Sequence, residues 1–503
     1  MGSGGRALVA FAGREVDAGI AALVSDPRVA GVTLYRSLNV ESAAQTLELT
    51  RQLVAAARRP LLIGVDQEGG QLLGAGPDTT PFAGNMALGA TDDPSLTRRV
   101  ASAIGTELRA LGINVDYAPV ADVASRPTNP SLGIRSFGGR PDRVAALTAA
   151  FVDGLQSAGV AATLKHFPGK GEADVDPHDQ LPVLELSTER LNAVEFVPFR
   201  SGVDAGARLM MVGHYALPLL TGDRGMPASA SRLVLEGIIR DRLGFSGLIV
   251  TDALDMGGFS GVAPEDPLAA GADLLLYGPR QPGALPSAPE DESGRVDDLL
   301  GWLSSFTQPE LSVVGDDRHG DLAMELASRS ITLVRDQTGL IPVRPGADSR
   351  ILAIMPRPMN LTPADTSELV QPGLAAAIRK RHRGTTELVV GFEPSRSEVE
   401  RATALAAEHD LVVLGTIGAG PSQTALVESL LASRTPTVTV ALRTPNDLAR
   451  YPSAPVHLCT YGILGPSMEA LADALFGAPI TGRLPVSIPG IYQVGHGMVR
   501  SEG

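Results

Sequence analysis

Two short stretches of this chain carry residue types able to move a proton and attack a carbon atom. The first is Lys165-His166-Phe167-Pro168-Gly169-Lys170-Gly171-Glu172-Ala173-Asp174-Val175-Asp176-Pro177-His178. Its glycines and prolines confine the backbone to special turns. Asp176 and His178 lie two residues apart, so in extended geometry their side chains share a side. A carboxylate beside an imidazole orients it, fixes its tautomer and raises its basicity, which suits a proton shuttle. A bare Asp-x-His also arises as an ordinary surface pair; the glycine-rich setting gives this one its weight. The second stretch is Gly247-Leu248-Ile249-Val250-Thr251-Asp252. An acid directly after an apolar strand is costly to bury without hydrogen bonds. On a rigid strand end Asp252 is suited to attack a sugar anomeric carbon. The competing reading is an N-cap for a helix starting at Ala253-Leu254.

Positioning these groups takes a scaffold that gathers strand ends. Apolar runs that read as strands alternate with Ala/Leu-rich stretches of helical period. Eight runs are expected: Ala7–Gly13, Val29–Arg36, Pro60–Gly70, Gly112–Val123, Val160–Gly169, Arg208–Tyr215, Ser246–Met256 and Ala270–Gly278. Strands without clear alternation suit a parallel sheet buried on both faces, and eight such units predict a (β/α)8 barrel. Polar residues then fall at the C-terminal rim: Asp66 and Glu68 after the third strand, Asp122 after the fourth with Arg135 in the following loop, Lys165 and His166 at the fifth. His214 ends the sixth and Asp252 the seventh. The predicted fold class is α/β: a (β/α)8 TIM-like barrel over residues 1–306, a linker at 307–319, and a smaller doubly wound α/β sandwich over 320–503. Pro279–Glu292 reads as an irregular Pro-, Ser- and acid-rich segment. No G-x-G-x-x-G follows the second domain's first strand, so nucleotide binding there has little support.

Composition narrows the function classes. The 503 residues are 44% hydrophobic and 19% charged, enough for a sizeable core. A formal net charge of −14 argues against a nucleic-acid or anionic-membrane binder. One cysteine, Cys459, excludes an internal disulfide and any cysteine-based zinc cluster. No apolar run reaches the ~18–20 residues of a membrane span. Met1–Arg6 is short and glycine-rich, and the apolar Leu8–Ala12 runs straight into Gly13-Arg14-Glu15 with no convincing cleavage pattern, so the expected location is the cytoplasm. The sequence leaves the oligomeric state open.

The motifs Val65-Asp66-Gln67-Glu68-Gly69-Gly70, Ala118-Pro119-Val120-Ala121-Asp122-Val123, Arg135-Ser136-Phe137-Gly138, Lys165-His166-Phe167-Pro168-Gly169 and Thr251-Asp252-Ala253-Leu254-Asp255-Met256 occur in order. Together they resemble glycoside hydrolase family 3, and within it the NagZ-type β-N-acetylglucosaminidases. Ser330-Ile331-Thr332-Leu333-Val334 and Gly477–Val486 are similar to the opening and closing segments of that family's C-terminal α/β domain. The resemblance implies Asp252 as nucleophile, His178 as acid/base and Asp176 as its dyad partner. It implies that Asp66, Arg135, Lys165 and His166 grip the hydroxyls of a terminal sugar. It further implies a small carbohydrate substrate, N-acetylglucosamine-containing glycans or muropeptides, with no cofactor and no metal.

Three positions depart from the family pattern. Gln71-Leu72-Leu73 stands where relatives usually have Arg-Val, Lys170 where Arg or His is common, and Pro177 where Ser is usual. Proline fixes φ and removes an N–H from the dyad loop. Alternative readings are a family 3 phosphorylase, with Lys170 and Arg135 supplying charge for phosphate, a broad β-glucosidase, and a non-catalytic sugar-binding protein.

Overall fold

Eight short strands close the first sheet of the computed structural model, which describes residues 5–280, 285, 293–362 and 365–501. They are β1 (Ala7–Val9), β2 (Val29–Thr33), β3 (Leu62–Val65), β4 (Val115–Asp116), β5 (Ala161–Phe167), β6 (Leu209–Val212), β7 (Leu248–Ala253) and β8 (Leu274–Leu276). Each pairs in parallel with the next, and β8 returns to β1, giving the expected barrel. Every strand residue is buried except Asp252 and Ala253 at the end of β7. Leu8, Leu62, Val115, Leu209, Leu248 and Leu274 belong to one apolar cluster with Val296, Leu299 and Leu303 of the helix Arg295–Ser304. Arg295 Nη1 donates to Asp273 Oδ1 at 2.8 Å, which places that helix beside the strand N-termini, away from the polar rim.

The strands are shorter than the apolar runs that announced them. Gly112–Val123 yields only Val115–Asp116 as ladder. Pro119 has no N–H to contribute, and beyond it the pairing continues only as the single bridge of Val120 to Lys165. Pro60–Gly70 forms ladder only over Leu62–Val65, and the run ends at Gly69 and Gly70, with φ of 79° and 63°. Of the segment Pro279–Glu292, only Pro279, Arg280 and Leu285 are among the described residues.

The second sheet contains β9 (Thr332–Asp336), β10 (Ile351–Pro356), β11 (Thr385–Val390), β12 (Leu411–Thr416), β13 (Thr437–Ala441) and β14 (Val456–Cys459), in the order β11-β10-β12-β13-β14-β9. Five strands are parallel and β9 runs antiparallel to β14 at one edge. The helix Asp317–Ser330 packs on barrel helices and on Gly465–Leu475, so it touches both domains. It starts three residues inside the stretch expected to be linker. That stretch is bonded to the barrel: Gly315 N–H and His319 Nδ1 meet Glu107 Oε1 at 3.1 and 2.8 Å, and Gln308 Nε2 donates to the Ala110 carbonyl at 3.0 Å. Glu107 is buried, and these donors help satisfy its carboxylate. Cys459 is free and buried. Among the described residues no helix is long and apolar enough to cross a membrane.

Candidate active site

The C-terminal ends of the barrel strands open on a cavity of about 760 Å³. Asp66, Arg135, Lys165, His166, His178 and Asp252 all line it. Asp176 does not reach the wall; it stands behind His178.

Its floor is a charge network. Glu68 is 2% exposed and lies between two cations. Arg135 Nε and Nη2 donate to its two oxygens at 2.9 and 2.7 Å, and Lys165 Nζ lies 2.7 Å from Oε1. Lys165 also bonds Asp66, whose side chain faces the cavity. Burial alone would neutralise Glu68; Arg135 and Lys165 override it and hold the carboxyl far below its ordinary range. Burial likewise opposes the charge on Lys165, but Asp66 and Glu68 raise its pKa above the ordinary lysine value. Both cations are therefore fixed donors.

His166 adjoins this network as a neutral ring. Burial, then Lys170, Arg135 and Lys165, push its pKa well below the usual imidazole value. Arg135 Nη2 approaches His166 Nε2 at 3.3 Å and can only donate, so Nε2 accepts and Nδ1 carries the proton. Nδ1–H donates to Asp122 Oδ2 at 2.8 Å. The other oxygen of Asp122 accepts the backbone N–H groups of His166 and Lys170 at 3.2 and 2.9 Å. Asp122 thus sets the shape of the loop that leaves β5.

That loop carries the dyad. Asp176 Oδ1 accepts the His178 backbone N–H at 3.0 Å and meets His178 Nδ1 at 2.6 Å, which leaves Nε2 for the cavity. Burial raises the Asp176 pKa, but the His178 hydrogen bonds outweigh it and hold the carboxyl below the ordinary range. Pro177 removes an N–H this arrangement does not use. The carbonyls of Pro177 and His178 accept the N–H groups of Gly258 and Gly257, both at 2.9 Å. The dyad loop is thereby clasped to the loop that follows β7. A Cβ on Gly257 would overlap the Asp179 carbonyl, so the close approach requires glycine.

Asp252 occupies the end of β7, with Oδ1 accepting the Ala253 N–H at 2.9 Å. The N-cap reading does not hold: no helix begins at Ala253, and the next helical element is the short 3-10 segment Gly257–Phe259. His214 is fully buried and is not part of the cavity wall. Its Nε2 donates to the Ala253 carbonyl at 3.1 Å and its Nδ1 meets Ser229 Oγ at 2.7 Å, so it braces the strand end that holds Asp252. Asp174 and Asp179 are exposed and do not line the cavity.

Residues 7–287, more than half of the chain, match the family described as "Glycosyl hydrolase family 3 N terminal domain". The chain belongs to glycoside hydrolase family 3. It is similar to a β-N-acetylglucosaminidase/β-glucosidase of Cellulomonas fimi, 31% identical over 91% of this chain and 88% of the relative. A β-hexosaminidase of Stenotrophomonas maltophilia (strain K279a) is 35% identical over 63% of this chain and 97% of its own. The solved structure of a family 3 β-N-acetylglucosaminidase from Paenibacillus sp. str. FPU-7 superposes with a TM-score of 0.89 at 30% identity, covering 96% of this chain and 97% of that one. This family 3 chain is accordingly a glycoside hydrolase with a TIM-like barrel and a C-terminal α/β domain.

Two contributions to the family 3 site escaped the sequence reading. Glu68 was visible only as one acid at a strand end; its position between two cations depends on loops distant in sequence. The second contribution comes from the other domain: Asn360, Asp365, Thr366, Glu368 and Leu369 line the same cavity. Thr366 N–H and Oγ1 both donate to the Gln71 carbonyl at 2.8 Å. Gln71 Nε2 reaches Asp365 Oδ2 at 3.3 Å. The departure at Gln71 is therefore a docking point for the second domain. Its sole advance signal was that Gln71-Leu72-Leu73 differs from the family pattern.

Proposed function

We propose that this hydrolase is a retaining exo-β-N-acetylhexosaminidase, that it removes terminal β-linked N-acetylglucosamine, and that peptidoglycan fragments are its substrate. The observation that carries the reading is the convergence of Asp252 and the Asp176-supported His178 on one cavity, above a floor of fixed donors. The names of the C. fimi, S. maltophilia and Paenibacillus relatives support the sugar assignment.

In this mechanism the terminal sugar rests on Asp66, Arg135, Lys165 and His166. Asp252 attacks the anomeric carbon while His178 Nε2–H protonates the departing oxygen, through an oxocarbenium-like transition state. Asp176 stabilises the charged imidazolium before transfer. A glycosyl-aspartate forms, and the C1–O bond to the aglycone breaks. The now neutral His178 then takes a proton from water as the water oxygen bonds to C1 and the C1–O bond to Asp252 breaks, which frees the carboxylate and releases the sugar with its configuration retained.

The deciding assay incubates the chain with muropeptide fragments and with 4-nitrophenyl N-acetyl-β-glucosaminide, with and without inorganic phosphate, and follows the product by NMR. Initial release of the β-anomer of free N-acetylglucosamine supports the proposal. A sugar 1-phosphate made in phosphate buffer would replace hydrolysis by phosphorolysis. Preferred turnover of a glucoside would replace it by β-glucosidase action, and tight binding without turnover would make the chain a sugar-binding protein.

A further inference from the structure

Lys170, on the loop leaving β5, is 2% exposed and yet lines the cavity. Its backbone is anchored at both ends: its N–H donates to Asp122 Oδ1 at 2.9 Å, and its carbonyl accepts from Asn129 Nδ2 at 2.7 Å. The neighbouring buried cations each have a carboxylate partner, Arg135 in Glu68 and Lys165 in Glu68 and Asp66. Among the described residues the Lys170 ammonium has no carboxylate at ion-pair distance. Its main charged neighbours act from farther away: Arg135 against its charge, Asp122, Asp252 and Glu68 in favour. Lys170 in turn bears on His166 and Asp176. A buried ammonium offers three donors and is costly without an acceptor. This one faces an open cavity, so the acceptor has to come from what fills that cavity.

The place of the lysine narrows the choice of atom. Its main charged neighbours are Arg135, Asp122, Asp252 and Glu68, and it also bears on Asp176 of the dyad. Asp252 addresses C1 of the sugar in the proposed mechanism, and C2 is bonded to C1. C1 is flanked by the ring oxygen and by C2, and of the two only C2 carries an amide acceptor. An amide carbonyl is a strong acceptor, and a charged donor strengthens the bond further. We propose that Lys170 is the specificity-determining residue for the C2 substituent, its ammonium donating to the carbonyl oxygen of the 2-acetamido group. The inference rests on the N-acetylglucosaminidase reading and deepens it. Burial and Arg135 bring the lysine pKa down to about 8, so the charged donor is lost above that pH.

The test compares the full-length chain with its Lys170→Met and Lys170→Arg variants. kcat/KM is measured on 4-nitrophenyl N-acetyl-β-glucosaminide and on 4-nitrophenyl β-glucoside from pH 5 to 9, alongside thermal unfolding. Where glucoside turnover is too slow to read, inhibition by N-acetylglucosamine against glucose gives the corresponding ratio of binding affinities. Loss of one charge-assisted hydrogen bond predicts about a 10–100-fold fall for Lys170→Met on the acetamido sugar, at least about ten times the fall on the glucoside. Lys170→Arg keeps part of the discrimination. The wild-type decline above about pH 8 disappears in Lys170→Met, and its melting temperature holds or rises because an unpaired buried charge has gone. Equal losses on both sugars, an unchanged ratio, or a melting temperature that drops with activity would overturn the assignment. So would loss of a phosphate-dependent product with hydrolysis intact. A wild-type chain that turns over neither sugar defeats the proposed function itself; an active wild type with an unaltered ratio defeats only the role of Lys170.

Discussion

Asp252 and His178 have different jobs in the proposed mechanism, and their variants separate accordingly. Asp252→Ala removes the attacking carboxylate; kcat on the nitrophenyl N-acetylglucosaminide is expected to fall at least about 10³-fold. His178→Ala should cost about 10²–10⁴-fold on a sugar aglycone, where the departing oxygen needs a proton, and much less on a nitrophenyl leaving group. Equal losses on both leaving groups would remove His178 from the acid role. Asp176 ties the dyad to acid pH. Its carboxyl is held below the ordinary range, so the stability it adds is complete above the unfolded pKa and is lost as pH falls through the depressed folded value. Urea unfolding between pH 2 and 6 should show that acid slope in the wild type and a weaker one in Asp176→Asn. Lys170 has the opposite sign. Its folded pKa of about 8 lies below that of an exposed lysine, so between about 8 and 10.5 the unfolded chain binds more protons. Stability from this site should rise with pH across that window, a rise absent in Lys170→Met.

At the level of elements, the site depends on a clasp between two loops. Gly257 and Gly258, after β7, donate to the carbonyls of Pro177 and His178, so the loop bearing the nucleophile candidate and the loop bearing the acid/base candidate hold each other. Gly257→Ala pushes a methyl group into the Asp179 carbonyl. Overpacking of this kind costs about 1–3 kcal/mol. The expected result is a modest drop in melting temperature with a kcat loss of at least about tenfold, since the displaced groups are the reacting ones. A variant with wild-type kcat would show that the clasp does not position the dyad. Much of this scale was legible in advance: the apolar runs located all the barrel strands. They overshot the strand ends because loops that approach a site in extended form, such as Asp116–Val123, look like strand continuations.

For the whole molecule, the part of the second domain that lines the cavity is braced by a buried ion pair. Arg443 Nη2 lies 2.8 Å from Asp365 Oδ2, and both side chains are almost fully buried. Asp365 also accepts from Gln71 of the barrel, and Arg443 bonds Ser367. Removing one partner of such a pair leaves the other charge uncompensated, at about 3–5 kcal/mol. Arg443→Ala should lower the denaturation midpoint accordingly. It should also raise KM for muropeptides more than for nitrophenyl sugars, because the loop it supports forms the outer wall of the cavity. Equal KM changes on large and small substrates would confine Arg443 to stability.

The sequence by itself determined the barrel, the second α/β domain and the types of residue at the strand ends. Apolar periodicity and local motifs are short-range properties, and Asp66, Arg135, Lys165, His166, His178 and Asp252 each sit in a motif readable within a few residues. Tertiary structure decided which of those residues share a surface and which stand behind one. Asp176 and His214 brace their neighbours, while Lys170 faces the cavity with no ion-pair partner among the described residues. It alone revealed the wall built from Asn360, Asp365, Thr366, Glu368 and Leu369 and the antiparallel edge strand β9. The reason is physical: a buried charge is defined by its partners, and the partners of Glu68, Glu107 and Asp365 come from segments that only folding brings within hydrogen-bond distance.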